Sequence, residues 1–541
     1  MIGLYAVTQD FKDNIFATSR SLQARVTFDI SSTDIDSDTV TTTVNNEFFI
    51  SKASTQLNNN VRQQTLKLIS GESNRTLLDG SFTFASDTNS EWGEVGFVSN
   101  SICQYNGVFG TTIVNAMPPG VMVSPDPVVV TVLYGTTHTS AGVTVTFDQL
   151  FNEYAVAFQI AVYDASNALI YQRAVSGNTS AQYKMIQALS NFKKIVVTIT
   201  QWNVGNRRAR ICEIDAGIVL TYTDDNLIRC SLAEEIDPIA SNVVIPEFEF
   251  TVDNSGKEFD ILNPSGIYAS LQLRQRIYAE IGLNLTGRTE YVPLGLFYLS
   301  EWRADTGALT ATFRGRSKLD LLDATNYEQL TPQTSYNLYT MAVAVLTAAG
   351  ISNYSIDTAL QSISTNGLIQ KTSCREVLQA IAIAAQATIR VTRDDVLRIE
   401  TTRATTSAGT VTLDEYLEEP RIDLNKPVQS VAVSYFTSIG TAAGTITITD
   451  STVLTGETIT LDSNTLINTS TQATAVANWL KSRRNENKLF KVNWRGNPAV
   501  ELYERLVFQN RYVTNQNVFM TKQELRYEGY LSGYIEARAV T

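Results

Sequence analysis

Apolar and polar residues alternate most clearly between residues 271 and 323. Arg276–Leu283 places Ile277, Ala279, Ile281 and Leu283 on one face, and a Thr286–Gly287 turn follows. A second strand is predicted over Tyr291–Trp302, interrupted by Pro293 and Gly295. After a turn at Asp305–Gly307, a third runs over Leu309–Arg316, with Leu309, Ala311 and Phe313 alternating. A period of two broken by Gly-containing turns predicts an antiparallel meander.

The same period recurs elsewhere. Leu22–Ile30 alternates, and Asn46–Lys52 and Thr65–Ile69 read as short strands. From 81 to 222 the strands come every 8–12 residues with turn signals between, the rhythm of a β-sandwich. The strongest are Val128–Tyr134, Val143–Phe147, Tyr154–Asp164, Ala168–Ala174, Lys194–Trp202 and Arg208–Tyr222. Phe248–Val252 and Phe259–Leu262 flank a turn at Asp253–Gly256. Near the C-terminus Thr445–Thr449 and Glu457–Leu461 alternate threonine with isoleucine or leucine.

A helical period governs only part of the chain. Ser335–Ala349 stops at Gly350, a natural helix end. Ser373-Cys374-Arg375-Glu376 has the form of a capping box opening a second helix, with Val377, Ile381, Ala384 and Ala385 on one face. Its small alanines predict close packing against a sheet. A hairpin, Thr388–Thr392 and Val396–Glu400, turns at Asp394-Asp395, and a third helix covers Thr471–Arg484.

Several of these stretches resemble one family, the hub proteins at the distal end of bacteriophage tails and related contractile particles. The matching residues are Ile277, Ile281, Gly282, Leu283, Tyr291 to Gly295, Phe297, Tyr298, Trp302, Leu309 to Thr312, Arg316 and Leu319 to Asp323. Arg20 ahead of Ala24-Arg25-Val26, the segment 246–264 and the stretch Trp494 to Phe508 add to the likeness, in the family's order. Separately, 142–172 and 193–218 resemble galactose-binding-like jelly rolls through Gly142, Thr144, Phe147, Asp148, Phe158, Tyr163, Asp164, Ile195, Val197, Ile199, Trp202, Arg208, Arg210, Ile211, Glu213 and Ile214. Ser166-Asn167 stands where those domains usually have Gly after Tyr-Asp, and can still turn.

Composition narrows the function. At 541 residues the chain needs several cores. Charged residues are 18%, below the quarter or so of ordinary soluble domains, which suits β-rich surfaces buried in an assembly. A net charge of −12 argues against specific nucleic-acid binding and fits a tube wall past which DNA slides, or ordinary solubility. Cys103, Cys212, Cys230 and Cys374 are too far apart for a metal or redox motif and read as buried free thiols. The N-terminus has no signal-peptide pattern and no apolar run reaches membrane-spanning length, so synthesis and assembly in a bacterial cytoplasm are expected.

Candidate chemistry is sparse. One histidine, His138, excludes two-histidine metal sites, and it reads as a residue of a surface turn over Gly135–Ser140. Asp34, Asp36 and Asp38 have the spacing of a calcium loop. Thr39 and Asn45 stand where that loop needs Gly and Glu, leaving a solvated turn. Phosphate-cradling loops have no support. A glycosidase needs only two placed carboxylates, but none has a setting that singles it out. Trp202 with Arg207, Arg208 and Arg210 could form an aromatic platform for a sugar; the alternative puts Trp202 in the sandwich core and the arginines against a neighbour. Tyr134 and His138 are further candidates, while Trp302, Arg314 and Arg316 read as packing or inter-subunit residues.

The expected fold is therefore mainly β and multi-domain: tail-tube-like hub β-barrels, a galactose-binding-like β-sandwich and a small α+β helical domain. The expected divisions are 1–80 (N-terminal hub segment), 81–222 (jelly roll), 223–330 (hub barrel), 331–400 (helical domain) and 401–541 (C-terminal barrel). The resemblance implies a structural virion protein of the tail tip or baseplate with no catalytic residues, cofactor or metal. It implies a homotrimer whose two barrels per subunit match a sixfold tube. Implied partners are the tail tube or distal tail protein, the central spike, the tape-measure protein, other baseplate proteins and a host surface glycan. The alternatives are a glycan-binding tail adhesin and a tail-associated cell-wall hydrolase.

Overall fold

A computed structural model describes residues 5–31, 128–149, 151–203, 209–263, 266–304, 307–331, 336–437, 440–512 and 515–539, with short pieces at 35, 38, 40–44, 50–51, 63–64, 108–109 and 123–124. The predicted strand Thr65–Ile69, most of Asn46–Lys52, Asp34, Asp36, Cys103, Arg207 and Arg208 lie outside the described residues. The protein is mainly β and forms two compact units. One comprises 1–27, 221–268 and 276–541; the other 28–220 and 269–275.

In the first unit the predicted meander is present as Arg276–Leu285, Arg288–Arg303 and Thr310–Arg316. Its pairing slips between Ala279 and Glu280, where Pro293 and Gly295 of the facing strand interrupt the ladder. Proline has no N–H to give and Gly295 takes φ +135°, so the bulge sits where two residues cannot continue a regular ladder. Glu247–Asp253 pairs with Thr310–Arg316, and Leu227–Glu235 pairs with Glu247–Asp253. Phe248 and Phe250, two residues apart and so on one face, stack on Phe297 and Phe313 at 5.2 and 5.1 Å. We call these strands, with the one beginning at Leu22, the first half.

The predicted strand Phe259–Leu262 is instead a run of turns. Side chains satisfy the backbone there in place of a ladder. Asn254 Oδ1 accepts from the Phe259 N–H, and Asp260 Oδ1 and Oδ2 accept from the N–H groups of Leu262 and Gly307. Asn and Asp compete with sheet pairing in this way.

The second half consists of Gly409–Val411, Arg421–Leu424, Lys488–Trp494, Arg505–Phe508, Gln516–Tyr527 and Leu531–Ala539. Its core includes Phe490, Val492, Trp494, Leu506, Phe508, Val518, Met520 and Ile535. The halves are continuous: Leu227–Glu235 pairs antiparallel with Gln516–Tyr527 from Cys230↔Tyr527 to Glu235↔Lys522.

A third core packs helices Leu338–Ala348, Cys374–Ala385 and Ser470–Arg484 with the hairpin Thr388–Val391/Leu397–Glu400 and the sheet of Val428–Phe436, Ala442–Thr449 and Glu457–Leu461. Residues 428–480 therefore join the helical core, whereas the expected boundary at 400 gave them to the C-terminal barrel. The alternation explains this. Ile446, Ile448, Ile459 and Leu461 form one apolar face, which must be covered, while the intervening threonines face outward. Ser373 caps its helix by accepting from the Glu376 N–H at 3.3 Å. That helix packs on the helix Leu338–Ala348 and also against the strands Ile369–Ser373 and Thr388–Val391. Leu338–Ala348 starts later than predicted because Asn337 Oδ1, accepting from Thr340 N–H at 2.8 Å, is its cap.

In the second unit, Val128–Phe147 and Gln182–Trp202 are long paired strands. Register shifts around Leu189 and Phe192 divide the pairing into two stretches. Ala155–Asp164 extends one stretch and Ala209–Asp215 the other. The predicted turn at Gly135–Ser140 lies inside Val128–Phe147, because β-branched Thr136, Thr137 and Thr139 favour extended backbone. Val40–Val44 pairs with residues 130–134, so this part of the expected N-terminal hub segment clusters here, and the unit begins at Phe28 rather than 81. The turn at Ser166-Asn167 is present, with Asp164 Oδ1 accepting from the N–H groups of Ser166 and Ala168 and Asn167 at φ +63°.

Candidate functional site

Of the residues expected to bind a sugar, Trp202, Tyr134 and His138 are interior. Trp202 is 1% exposed, packs edge-on to Phe147 at 5.6 Å and donates its indole N–H to Glu153 at 3.4 Å. A ring with no open face offers no platform to a pyranose, so the core role replaces the platform role. Burial raises the Glu153 carboxyl, and the Trp202 bond works against that. Arg210 lies in the strand Ala209–Asp215.

His138 is also buried, not on a surface turn. Its Nε2 lies 2.7 Å from Asp38 Oδ2, which also accepts from the N–H and hydroxyl of Thr136 at 2.9 and 3.1 Å. Asp38 thus holds a strand from the inside, where a solvated turn was expected. Tyr134 joins His138, ring centroids 5.5 Å apart, and both flank Phe192. Burial pushes the Tyr134 phenol up, and its hydroxyl has no hydrogen-bond partner among the described residues. Tyr134 and His138 are brought together; Trp202 belongs to another aromatic group.

The strongest concentration of buried charge lies in the first unit, where the hairpin tip at 390–395 meets both halves of the sheet. Arg393 is 3% exposed. Its guanidinium donates to both oxygens of Glu234 on Leu227–Glu235, at 2.8 and 3.2 Å. It also donates to the carbonyls of Leu294 in the first half and Val500 in the second, at 2.9 and 3.2 Å, and to Gln523 Oε1 at 3.3 Å. One side chain therefore ties the hairpin to both halves beside the strand pair that joins them.

Around it, Arg390 pairs with Glu400 at 3.0 Å and with Glu501 at 3.2 Å. Glu501 Oε1 accepts from the Arg393 N–H at 2.9 Å, and Lys318 pairs with Asp395 at 2.7 Å. Burial raises the Glu234 carboxyl against the opposing pull of Arg393. Glu504 is 1% exposed, and burial, with the Glu501 charge beside it, pushes its carboxyl up to about 7. This is a mechanical junction. Its carboxylates and guanidinium groups largely engage one another, while Glu504 Oε1, Arg393 Nε and Gln523 Nε2 are buried with no hydrogen-bond partner among the described residues. Among the described residues no group of three His, Cys, Asp or Glu side chains is placed to hold a metal.

Nothing in the local sequence pattern singles these residues out as a cluster. The available signal was weak: arginines at 390 and 393 in an otherwise apolar hairpin, and Glu501 and Glu504 within the Trp494–Phe508 stretch. Arg314 and Arg316 pair within the first half, with Glu249 at 2.9 Å and Glu247 at 3.0 Å. Cys212, Cys230 and Cys374 are buried. No helix among the described residues is long and apolar enough to cross a membrane.

No protein-family model matches the chain, and no curated protein matches it. Among solved structures, the chain is similar to a tail protein from Neisseria meningitidis MC58, at 10% identity and TM-score 0.41, covering 60% of this chain and 94% of that one. It is similar to the 43 kDa tail protein of prophage MuSo2 from Shewanella oneidensis, at 12% identity and TM-score 0.40, covering 59% and 94%. A third likeness is to a chain in the virion of a native gene transfer agent particle, at 14% identity and TM-score 0.29, covering 77% and 78%. At these identities and TM-scores neither a ligand nor a role carries across.

Proposed function

We propose that the chain is a structural component of a phage tail or phage-derived particle, the baseplate or tail-tip hub. The observation that supports this reading is the construction of the first unit. Two β halves far apart in sequence, one made of the strand beginning at Leu22 with the strands of 227–316 and the other of the strands of 409–424 and 488–539, join edge to edge through Leu227–Glu235 and Gln516–Tyr527. The family resemblance implies two joined barrels per subunit, and this is the arrangement such a subunit needs. In that role the protein is a homotrimer presenting six β halves to a hexameric tube, with a central spike below and tape-measure and baseplate proteins as neighbours. Its work is mechanical: to close the distal tube, to hold the attachment apparatus and to open for delivery of DNA or effector. The second unit, resembling a galactose-binding-like jelly roll in sequence, holds neighbours or touches host surface glycan.

The test is immunogold electron microscopy of particles from the source lysate, with antibody raised against residues 81–222. Gold clustered at the distal tail end is expected. Gold along fibres, or on bacterial envelopes without any tailed particle, would overturn the hub reading in favour of an adhesin.

A further inference from the structure

We infer that Glu504 is a proton-operated lock on the junction between the hairpin and the two sheet halves: with its proton the junction is closed, and without it the junction loosens. The inference rests on the junction's own geometry and does not depend on the hub reading.

Glu504 differs from the other carboxylates around it. Glu234 has the guanidinium of Arg393, Glu501 has Arg390, and Glu400 has Arg390 and Arg398. Among the described residues Glu504 has no ion pair of its own. Its Oε2 accepts the Glu501 backbone N–H at 3.1 Å, and its Oε1 is buried with no hydrogen-bond partner among the described residues. The groups facing it are Glu501 from its own segment and Arg390 and Arg393 from the hairpin. Glu234 lies beyond Arg393 on Leu227–Glu235, and Gln523, from Gln516–Tyr527, is neutral. Both buried guanidinium groups are already taken by other carboxylates. A negative charge on Glu504 would be buried, short of hydrogen bonds and adjacent to another carboxylate, so the neutral acid is the form that fits.

The direction with pH follows. Burial lifts this carboxyl from its ordinary 4.5 to about 7 in the folded chain. A group raised on folding stabilises the closed state fully below its ordinary value and loses that contribution as pH climbs through the folded value. The closed junction therefore holds the proton between those limits, while an opened junction, with Glu504 in water, releases it. Opening is favoured as pH rises towards neutrality and then levels off.

The experiment is hydrogen exchange of the full chain from about pH 5 to about pH 8, corrected for intrinsic rates, on amides of the hairpin 388–400 and of Gln516–Tyr527. Glu504→Gln, a neutral isostere, serves as the reference for all other titrations. The opening constant of the native chain relative to E504Q should rise on the order of 30-fold from about pH 5 to about pH 7 and flatten above it. A ratio that stays constant across that range overturns the proposal. So does an E504Q chain that fails to fold at about pH 5, where the native carboxyl is already neutral. The native chain alone gives an independent reading: junction amides whose corrected exchange is flat over the same range also overturn it.

Discussion

Replacing Arg393 with methionine isolates the junction's central tie. The substitution keeps much of the stem's apolar packing but removes the guanidinium that donates to Glu234, to the Leu294 and Val500 carbonyls and to Gln523. Glu234, 7% exposed, is left as a buried carboxylate without its partner. Breaking a buried pair from one side costs about 3–5 kcal/mol. The orphaned carbonyls add about 1–3 kcal/mol where water does not reach them. A loss of about 5 kcal/mol in the free energy of opening the junction is therefore expected, between three and four powers of ten in exchange rate. Native-state hydrogen exchange over Leu227–Glu235 and Gln516–Tyr527 measures it. Adding Glu234→Gln to R393M should restore about 1–3 kcal/mol, because the uncompensated charge is gone. A cost for R393M below about 1 kcal/mol, or a double variant as unstable as the sum of the singles, would refute the claim that Arg393 ties the halves together.

Other consequences are open to measurement. Asp38→Ala removes the acceptor for Thr136 and His138 and should destabilise the second unit by about 2–3 kcal/mol, read by denaturant midpoint. Trp202→Ala should cost about 3–5 kcal/mol by empty volume. Trp202→Phe, at smaller cost, should leave any glycan binding of the intact chain unchanged on a carbohydrate array; selective loss of binding would restore the platform role. Gly142→Ala would bring a Cβ to 2.0 Å from the Met185 carbonyl oxygen and should break the pairing of the two long strands, lowering the unit's thermal midpoint more than Ser373→Ala lowers that of the helical core. The latter removes a cap worth about 1 kcal/mol.

Local pattern determined much of this protein. The meander at 276–316, the capped helix after Ser373, the Asp394-Asp395 hairpin and the alternation of Glu457–Leu461 were legible because period, turn chemistry and capping are encoded within a few residues. Tertiary structure decided what those elements were for. It drew residues 428–480 into the helical core, where their apolar face found its cover. It kept Gly135–Ser140 extended and put His138 beside Asp38, a partner 100 residues away. It buried Trp202, which sequence could place on a strand but not on a face with respect to a core formed by distant strands. Above all, it assembled Glu234, Arg390, Arg393, Glu501 and Glu504 at one junction. Charged residues read singly along a chain look like surface. Only the meeting of segments separated by more than 100 residues shows that they are interior, where water no longer screens them and each needs a partner or a proton.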